Sequence, residues 1–260
     1  MSQSAAQLAE IEIVSIIPDG TQAYHIQWEV VASAAGAGPF NFSIKRSGSV
    51  TGPWEDAATN IGNIYTYTDT TPLLVGNDKI VYYQVVSGTF TSRIVSSMMA
   101  LPRQKFLIWR KIINDEKIML SKGNGVPVVV LKRRHWGPRC PVCIDPKTLR
   151  ILVKRCLACF GTSFTGGYFS PVPTVGKIAP SSPGTDFTTD TSVPEVETAN
   201  MFLHPYPLVR RGDIIVEPDT NIRWEIVSEQ PTEILRNPVH QDINISRLPP
   251  ADLIYELALS

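Results

Sequence analysis

No run in this 260-residue chain approaches the roughly 20 consecutive apolar residues that cross a bilayer as a helix, which excludes a helical membrane span. The opening MSQSAAQLAEIEI lacks a basic segment and a continuous apolar one, so no secretory leader is expected and a reducing compartment is. Net charge is missing as well. The 24 basic and 24 acidic side chains cancel, which removes any chain-wide pull toward nucleic acid or a membrane surface and leaves only local patches. Histidine is scarce, and His25, His135, His204 and His240 are scattered, with the last two read as loop residues near prolines. No Ser or Cys nucleophile is framed by a strand-turn-helix elbow, and no acidic pair is set up for proton transfer, so an enzyme is not expected.

Cysteine is nearly absent too, but the four present fall together. Cys140, Cys143, Cys156 and Cys159 form two C-x2-C pairs separated by 12 residues. That spacing brings two tight knuckles onto one tetrahedral ion. Four thiolates saturate the metal and leave no position for water or substrate, so the expected ion is a structural Zn²⁺. Two local disulfides, a redox C-x-x-C and unpaired buried thiols are the competing readings. Redox chemistry needs one pair opening a helix, whereas Pro141 follows Cys140 and the second pair runs into Gly161. Arg139, Lys147, Arg150, Lys154 and Arg155 supply positive charge that favours thiolates. The intervening DPKTLRILVKR has an Asp-Pro turn and a short apolar run, which predicts a zinc-ribbon hairpin. His135 is the one nearby substitute ligand, and a complete cysteine set leaves it no role.

Abundant Pro and Gly, 21 and 17 residues, among many Val, Ile and Thr predict a mainly β, loop-rich chain. Tyr24, Ile26, Trp28 and Val30 alternate with polar neighbours, which puts His25 on a solvated face. Further strands are expected at 10–17, 40–45, 63–69, 79–86 and 89–96, with room for one near Trp54: a β-sandwich. Between Arg103 and Lys122 the residues Phe106, Trp109, Ile112, Ile113, Met119 and Leu120 recur mostly at three and four, and Gly123 follows, which predicts an amphipathic connecting helix. Lys132, Arg133, Arg134 and Arg139 read as a solvated basic face, with contact to phosphates as the alternative. GTSFTGGYFSP is a Gly-rich turn anchored by Phe164, Tyr168 and Phe169, without the lysine of a phosphate loop. Arg211-Gly212-Asp213 spells an adhesion tripeptide but reads as an ordinary turn. The expected domains are a polar tail (1–8), the sandwich (9–100), a helix and strand connector (101–135), the zinc ribbon (136–170), a Pro/Ser/Thr-rich arm (171–200) and a small β-barrel or sheet (201–260).

Two resemblances sharpen this reading. The Trp28 strand, RSGSVTGPW, YTYTDTTP and YYQVV resemble a fibronectin type III module, an Ig-like sandwich. Across roughly 103–260, VVVLKRRHWGPRCPVC, CLACFGTSFTGGYFSP, RGDIIVEPDTNIRWEIVSEQP and LPPADLIYEL resemble neck proteins that join head to tail in tailed-bacteriophage virions. That resemblance implies Cys140, Cys143, Cys156 and Cys159 as metal ligands. It also implies a homo-oligomeric ring, made in the host cytoplasm and built into the virion against the connector or adaptor and tail proteins, without membrane contact. The alternatives are a zinc-ribbon nucleic-acid binder, with DNA contact through the basic cluster, and a baseplate or tail component whose sandwich binds a partner or glycan.

Overall fold

The computed structural model describes all residues except 1–9, 20–22, 33–39, 72–79, 89, 100, 146, 149, 154, 181–196 and 260. The expected tail at 1–8 therefore lies outside the described residues. The chain is mainly β and divides into two units, Met1–Arg110 with Arg134–Phe169, and Lys111–Arg133 with Ser170–Ser260.

The first unit contains two antiparallel sheets. One runs β1 (Glu10–Asp19), β2 (Ala23–Ala32), β5 (Thr66–Asp69). The other runs β4 (Glu55–Ala58), β3 (Ser43–Ser47), β6 (Tyr82–Ser87), β7 (Phe90–Thr91), and β8 (Val95–Ser96) also pairs with β6. The final strand expected over 89–96 is thus two short strands, because Ser92 between them turns inward and its hydroxyl accepts from the Val85 amide. Alternation in β2 buries Tyr24, Ile26, Trp28 and Val30, and the facing sheet meets them with Phe42 (5.5 Å between ring centres to Trp28) and Tyr83 (6.3 Å to Tyr24). The polar side of β2 is covered as well: Gln27 and Glu29 are buried. His25 is accordingly half-buried rather than solvated, with Nδ1 2.9 Å from the Thr68 hydroxyl and Nε2 3.1 Å from Asp19.

The single α-helix among the described residues, α1 (Arg103–Lys122), has the expected bounds and stops at Gly123, whose N–H donates to the Met119 carbonyl. The division between units falls within it, after Arg110. Phe106, Trp109, Ile113 and Leu120 are buried, whereas Met119 is exposed. Leu120 lies two turns beyond Ile113 and stays on the stripe, and Met119 is rotated off it by about 100°.

The second unit is a closed barrel in the order β10 (Val172–Pro180), β11 (Thr198–Leu203), β14 (Asn237–Arg247), β13 (Ile222–Ile234), β12 (Ile214–Glu217), β9 (Val126–Leu131). Val128, Val130, Met201, Leu203, Ile215, Trp224, Ile226, Ile243 and Ile245 fill it. Two expectations change. The small β-domain is not confined to 201–260, since β9 and β10 complete it from either side of the cysteines. The arm expected over 171–200 has a strand at each end, and only its middle, 181–196, lies outside the described residues. Proline is tolerated in β10 because each half of the strand has one neighbour: Val172–Gly176 pairs with β9 and Gly176–Pro180 with β11. At the crossover Gly176 admits no side chain, as a Cβ there would sit 2.3 Å from the Met201 methyl.

Candidate metal centre

The chain leaves β9, forms the cysteine module and returns as β10. Local hydrogen bonds fold each C-x2-C into a knuckle. In the first, the Ile144 N–H donates to the Cys140 carbonyl at 3.3 Å, and the amides of Val142 and Cys143 point at the Cys140 sulfur. In the second, Phe160 N–H donates to the Cys156 carbonyl at 2.7 Å, and the amides of Ala158 and Cys159 point at the Cys156 sulfur. All four cysteines are buried and unbridged.

Their sulfurs lie within 4.8 Å of one another, with Cys140 to Cys156 at 3.8 Å and Cys143 to Cys159 at 3.3 Å. A tetrahedral ion with metal–sulfur bonds of about 2.3 Å holds its thiolates about 3.8 Å apart, so the cluster has the size of a four-thiolate site. All four cysteines are free, so neither local bridge is formed, and the between-pair separations are far beyond the roughly 2.05 Å of a disulfide. Neither pair opens a helix, so the redox reading loses its geometry. Among the described residues this is the one group of three or more His, Cys, Asp and Glu whose ligand atoms converge.

Electrostatics in the cluster fit a cation. Burial pushes the Cys140 thiol up, but the Val142 and Cys143 amides and the Cys143 and Cys156 thiols outweigh it and leave the group below its ordinary value. Cys143 is pushed up by burial first and then by Cys159 and Cys140. Burial also raises Cys156, with the Ala158 and Cys159 amides opposing. Ionisation is thus favoured at Cys140 and opposed at Cys143 and Cys156, where burial and neighbouring thiols disfavour added negative charge. A divalent ion removes that opposition.

Between the pairs, Ile144 and Ile151 form an antiparallel bridge, Asp145 N–H donates to the Arg150 carbonyl, and Leu152 N–H donates to the Cys143 carbonyl. The Asp145 carboxylate accepts from the Thr148 hydroxyl and the Lys147 amide, which hold it below the usual carboxylate range. Isolated bridges and turns take the place of an extended ladder among the described residues. With the flanking carbonyls drawn toward the knuckles, few backbone groups remain for strand pairing.

The exit segment, Phe160 to Phe169, wraps back beneath the knuckles. Phe160, Gly161, Ser163, Gly166 and Gly167 all take left-handed backbone angles. Gly167 is sterically required: a Cβ would meet the Cys159 carbonyl at 2.7 Å. Thr162 ties the loop to the second knuckle through bonds from its amide and hydroxyl to the Cys159 carbonyl. Arg134 donates from Nε to the Tyr168 carbonyl at 2.8 Å and lies 4.5 Å over the Phe169 ring. Phe169 packs in turn on fully buried Trp136 (4.5 Å) and on Tyr65 of the sandwich (5.1 Å).

The remaining sequence candidates disperse. His135 is exposed, set edge-on to Trp136 and 3.7 Å from Glu29, and does not join the sulfurs. The basic cluster is not one solvated face: Lys132 is buried, Arg134 is committed to Tyr168 and Phe169, and Arg139 covers Phe164 at 4.3 Å. Aromatic rings beside the chain gave these cations apolar neighbours, which charge counting does not see. Asp213 of the Arg-Gly-Asp tripeptide is buried and accepts from the amides of Arg210 and Arg133, both at 2.8 Å, which makes the tripeptide an internal turn. His240 sits in β14 rather than a loop, 3.4 Å from Glu116 and 3.5 Å from Asp242. The sequence reading missed the buried Arg46, Asp69 and Tyr83 group, for which only one charged residue at a strand end hinted.

No protein family, curated protein or solved structure matches this chain.

Proposed function

We propose that this chain is a structural subunit of a tailed-phage virion, a neck or collar ring protein between head connector and tail. Zn²⁺ held by Cys140, Cys143, Cys156 and Cys159 acts as its permanent brace. The observation that carries the reading is the closed quartet of buried sulfurs joined to the left-handed CFGTSFTGGY exit, the segment on which the resemblance to neck proteins rests. Zinc supplies charge neutralisation and a rigid tetrahedral node, and in such small modules metal binding free energy is folding free energy. The protein's residues do the rest: the knuckle amides orient the sulfurs, Thr162 and Gly167 shape the exit, and Arg134 and Phe169 seat it on Trp136 and Tyr65. A site closed by four protein ligands has no vacancy for substrate, so the proposal gives it a mechanical role.

The strand order β1-β2-β5 against β4-β3-β6-β7 supports a fibronectin type III module at the N-terminus, which would project as decoration or grip a neighbour. The nucleic-acid reading has less support, because Lys132 is buried and Arg134 is committed to Tyr168 and Phe169. Tracing the chain in electron micrographs of assembled particles tests the proposal. A ring of this fold between connector and tail is expected, and particles that lack the chain at the neck would overturn it.

A further inference from the structure

The cysteine module exposes more aliphatic side chains than its size leads one to expect. Val142 and Leu157, inside the two knuckles, and Ile151, Leu152 and Val153, on the segment between them, are 45% to 67% exposed. Charge surrounds them on one side of the ledger only. From Arg139 to Arg155 the chain carries five Lys and Arg against one Asp, and that Asp is bonded locally to Lys147 and Thr148. Exposed aliphatic side chains gathered in one small module that also carries a basic excess are the composition of an interaction site.

A surface of opposite character lies in the barrel. From Glu217 to the C-terminus eight Asp and Glu stand against three Arg, of which Arg223 is buried. Within that region β13 pairs with β12 only over Ile222–Glu225, and from Val227 to Ile234 it has β14 as its one strand neighbour among the described residues. This free edge carries Glu229 and Glu233, with Val227 and Leu235 exposed. Pro231 and the two glutamates bar pairing of the edge with a copy of itself, since like charges would meet and a donor is missing. They leave it open to a cationic, apolar partner.

We propose that copies of this chain associate head to tail, the aliphatic and basic rim of one copy's cysteine module docking on the acidic edge of β13 in the next. Complementary charge selects this contact over rim-to-rim or edge-to-edge contact. A heterologous contact of this kind builds rings or open chains rather than closed dimers. The inference rests on the homo-oligomeric part of the function proposed above and names the surfaces that would join.

Full-length, zinc-loaded protein tests it by sedimentation velocity across a concentration series at low and high salt. Wild type is expected to assemble, less so at high salt. Lys147→Glu with Arg150→Glu reverses the rim, and Glu229→Lys with Glu233→Lys reverses the edge. Each double variant alone is expected to lose assembly by about tenfold or more in dissociation constant. Their equimolar mixture is expected to regain it, because each reversed surface then meets its complement. Zinc content and near-ultraviolet dichroism check that both remain folded, and Leu152→Ser with Leu157→Ser provides a neutral variant expected to weaken assembly without charge change. If wild type assembles but neither reversal matters, or the mixture fails to recover, the docking inference is overturned while a ring built on other surfaces stands. A wild type that stays monomeric throughout overturns both.

Discussion

The guanidinium of Arg46 in β3 donates to the carboxylate of Asp69 in β5 at 2.7 Å, so a charge from one sheet of the sandwich is neutralised by a charge from the other. Asp69 is 1% exposed, and its second oxygen accepts from the Tyr83 hydroxyl of β6 at 2.9 Å. The sheets are thus cross-linked at Asp69, whose removal takes one partner from Arg46, which keeps Glu55 at 3.8 Å, and takes from the buried Tyr83 hydroxyl the acceptor it donates to.

Asp69→Ala is expected to destabilise the sandwich by about 1.5–3 kcal/mol, the cost of losing charge-assisted hydrogen bonds to Arg46 and Tyr83. Denaturant titration followed by hydrogen exchange at the β2 amides reads this directly. A loss below about 1 kcal/mol would mean the pair behaves as a surface ion pair.

Tyr83 gives the sandwich an alkaline limit. Burial, then the charge and hydrogen bond of Asp69, raise its hydroxyl well above the tyrosine range. The folded state therefore keeps a proton that the unfolded chain gives up near pH 10, and the stability this represents is present below that pH and lost as pH rises past it. Tyr83→Phe should cost stability at neutral pH yet show a shallower decline above about pH 10. Parallel alkaline limbs for the two proteins would refute the assignment.

Purified protein is expected to carry about one zinc per chain by elemental analysis. Chelation or Cys156→Ser should unfold the cysteine module, and zinc uptake should release protons and weaken as pH falls, since thiols must ionise to bind. Metal-free protein with the module intact would contradict this.

Gly166 and Gly167 separate backbone strain from steric exclusion. Both have left-handed backbones, with φ of +79° and +68°, but a Cβ at Gly166 has 3.8 Å to its nearest neighbour, Arg134 Nε, while one at Gly167 strikes backbone. Gly166→Ala should cost about 1–2 kcal/mol from conformation alone. Gly167→Ala should cost distinctly more and lower zinc retention, measured by chelator competition. Equal costs would show that the loop relaxes freely.

Legibility in the sequence followed the range of the interaction. The cysteine quartet could be read because its members are close in sequence and their C-x2-C spacing brings the sulfurs together. Helix α1 could be read because Phe106, Trp109, Ile113 and Leu120 repeat with a helical period up to Gly123. The barrel was half legible: β12, β13 and β14 follow one another, but β9 and β10 join them across the inserted cysteines, and period-two patterns name no partner. Prolines in β10 masked a strand that tolerates them only because its two halves pair on different sides. The Arg46, Asp69 and Tyr83 group stayed hidden because its members come from three strands, and polar residues at strand ends ordinarily face water. Arg134 misled for a related reason, since the Tyr168 carbonyl that receives it lies 34 residues along the chain.

The cysteine module enters after β9 and leaves into β10, two strands already hydrogen-bonded to each other through Val130 and Val172. Its two stems are therefore held side by side by the barrel itself, and a short turn bridging Arg133 to Ser170 spans the same gap. Opening of this cassette therefore leaves every barrel strand threaded as before.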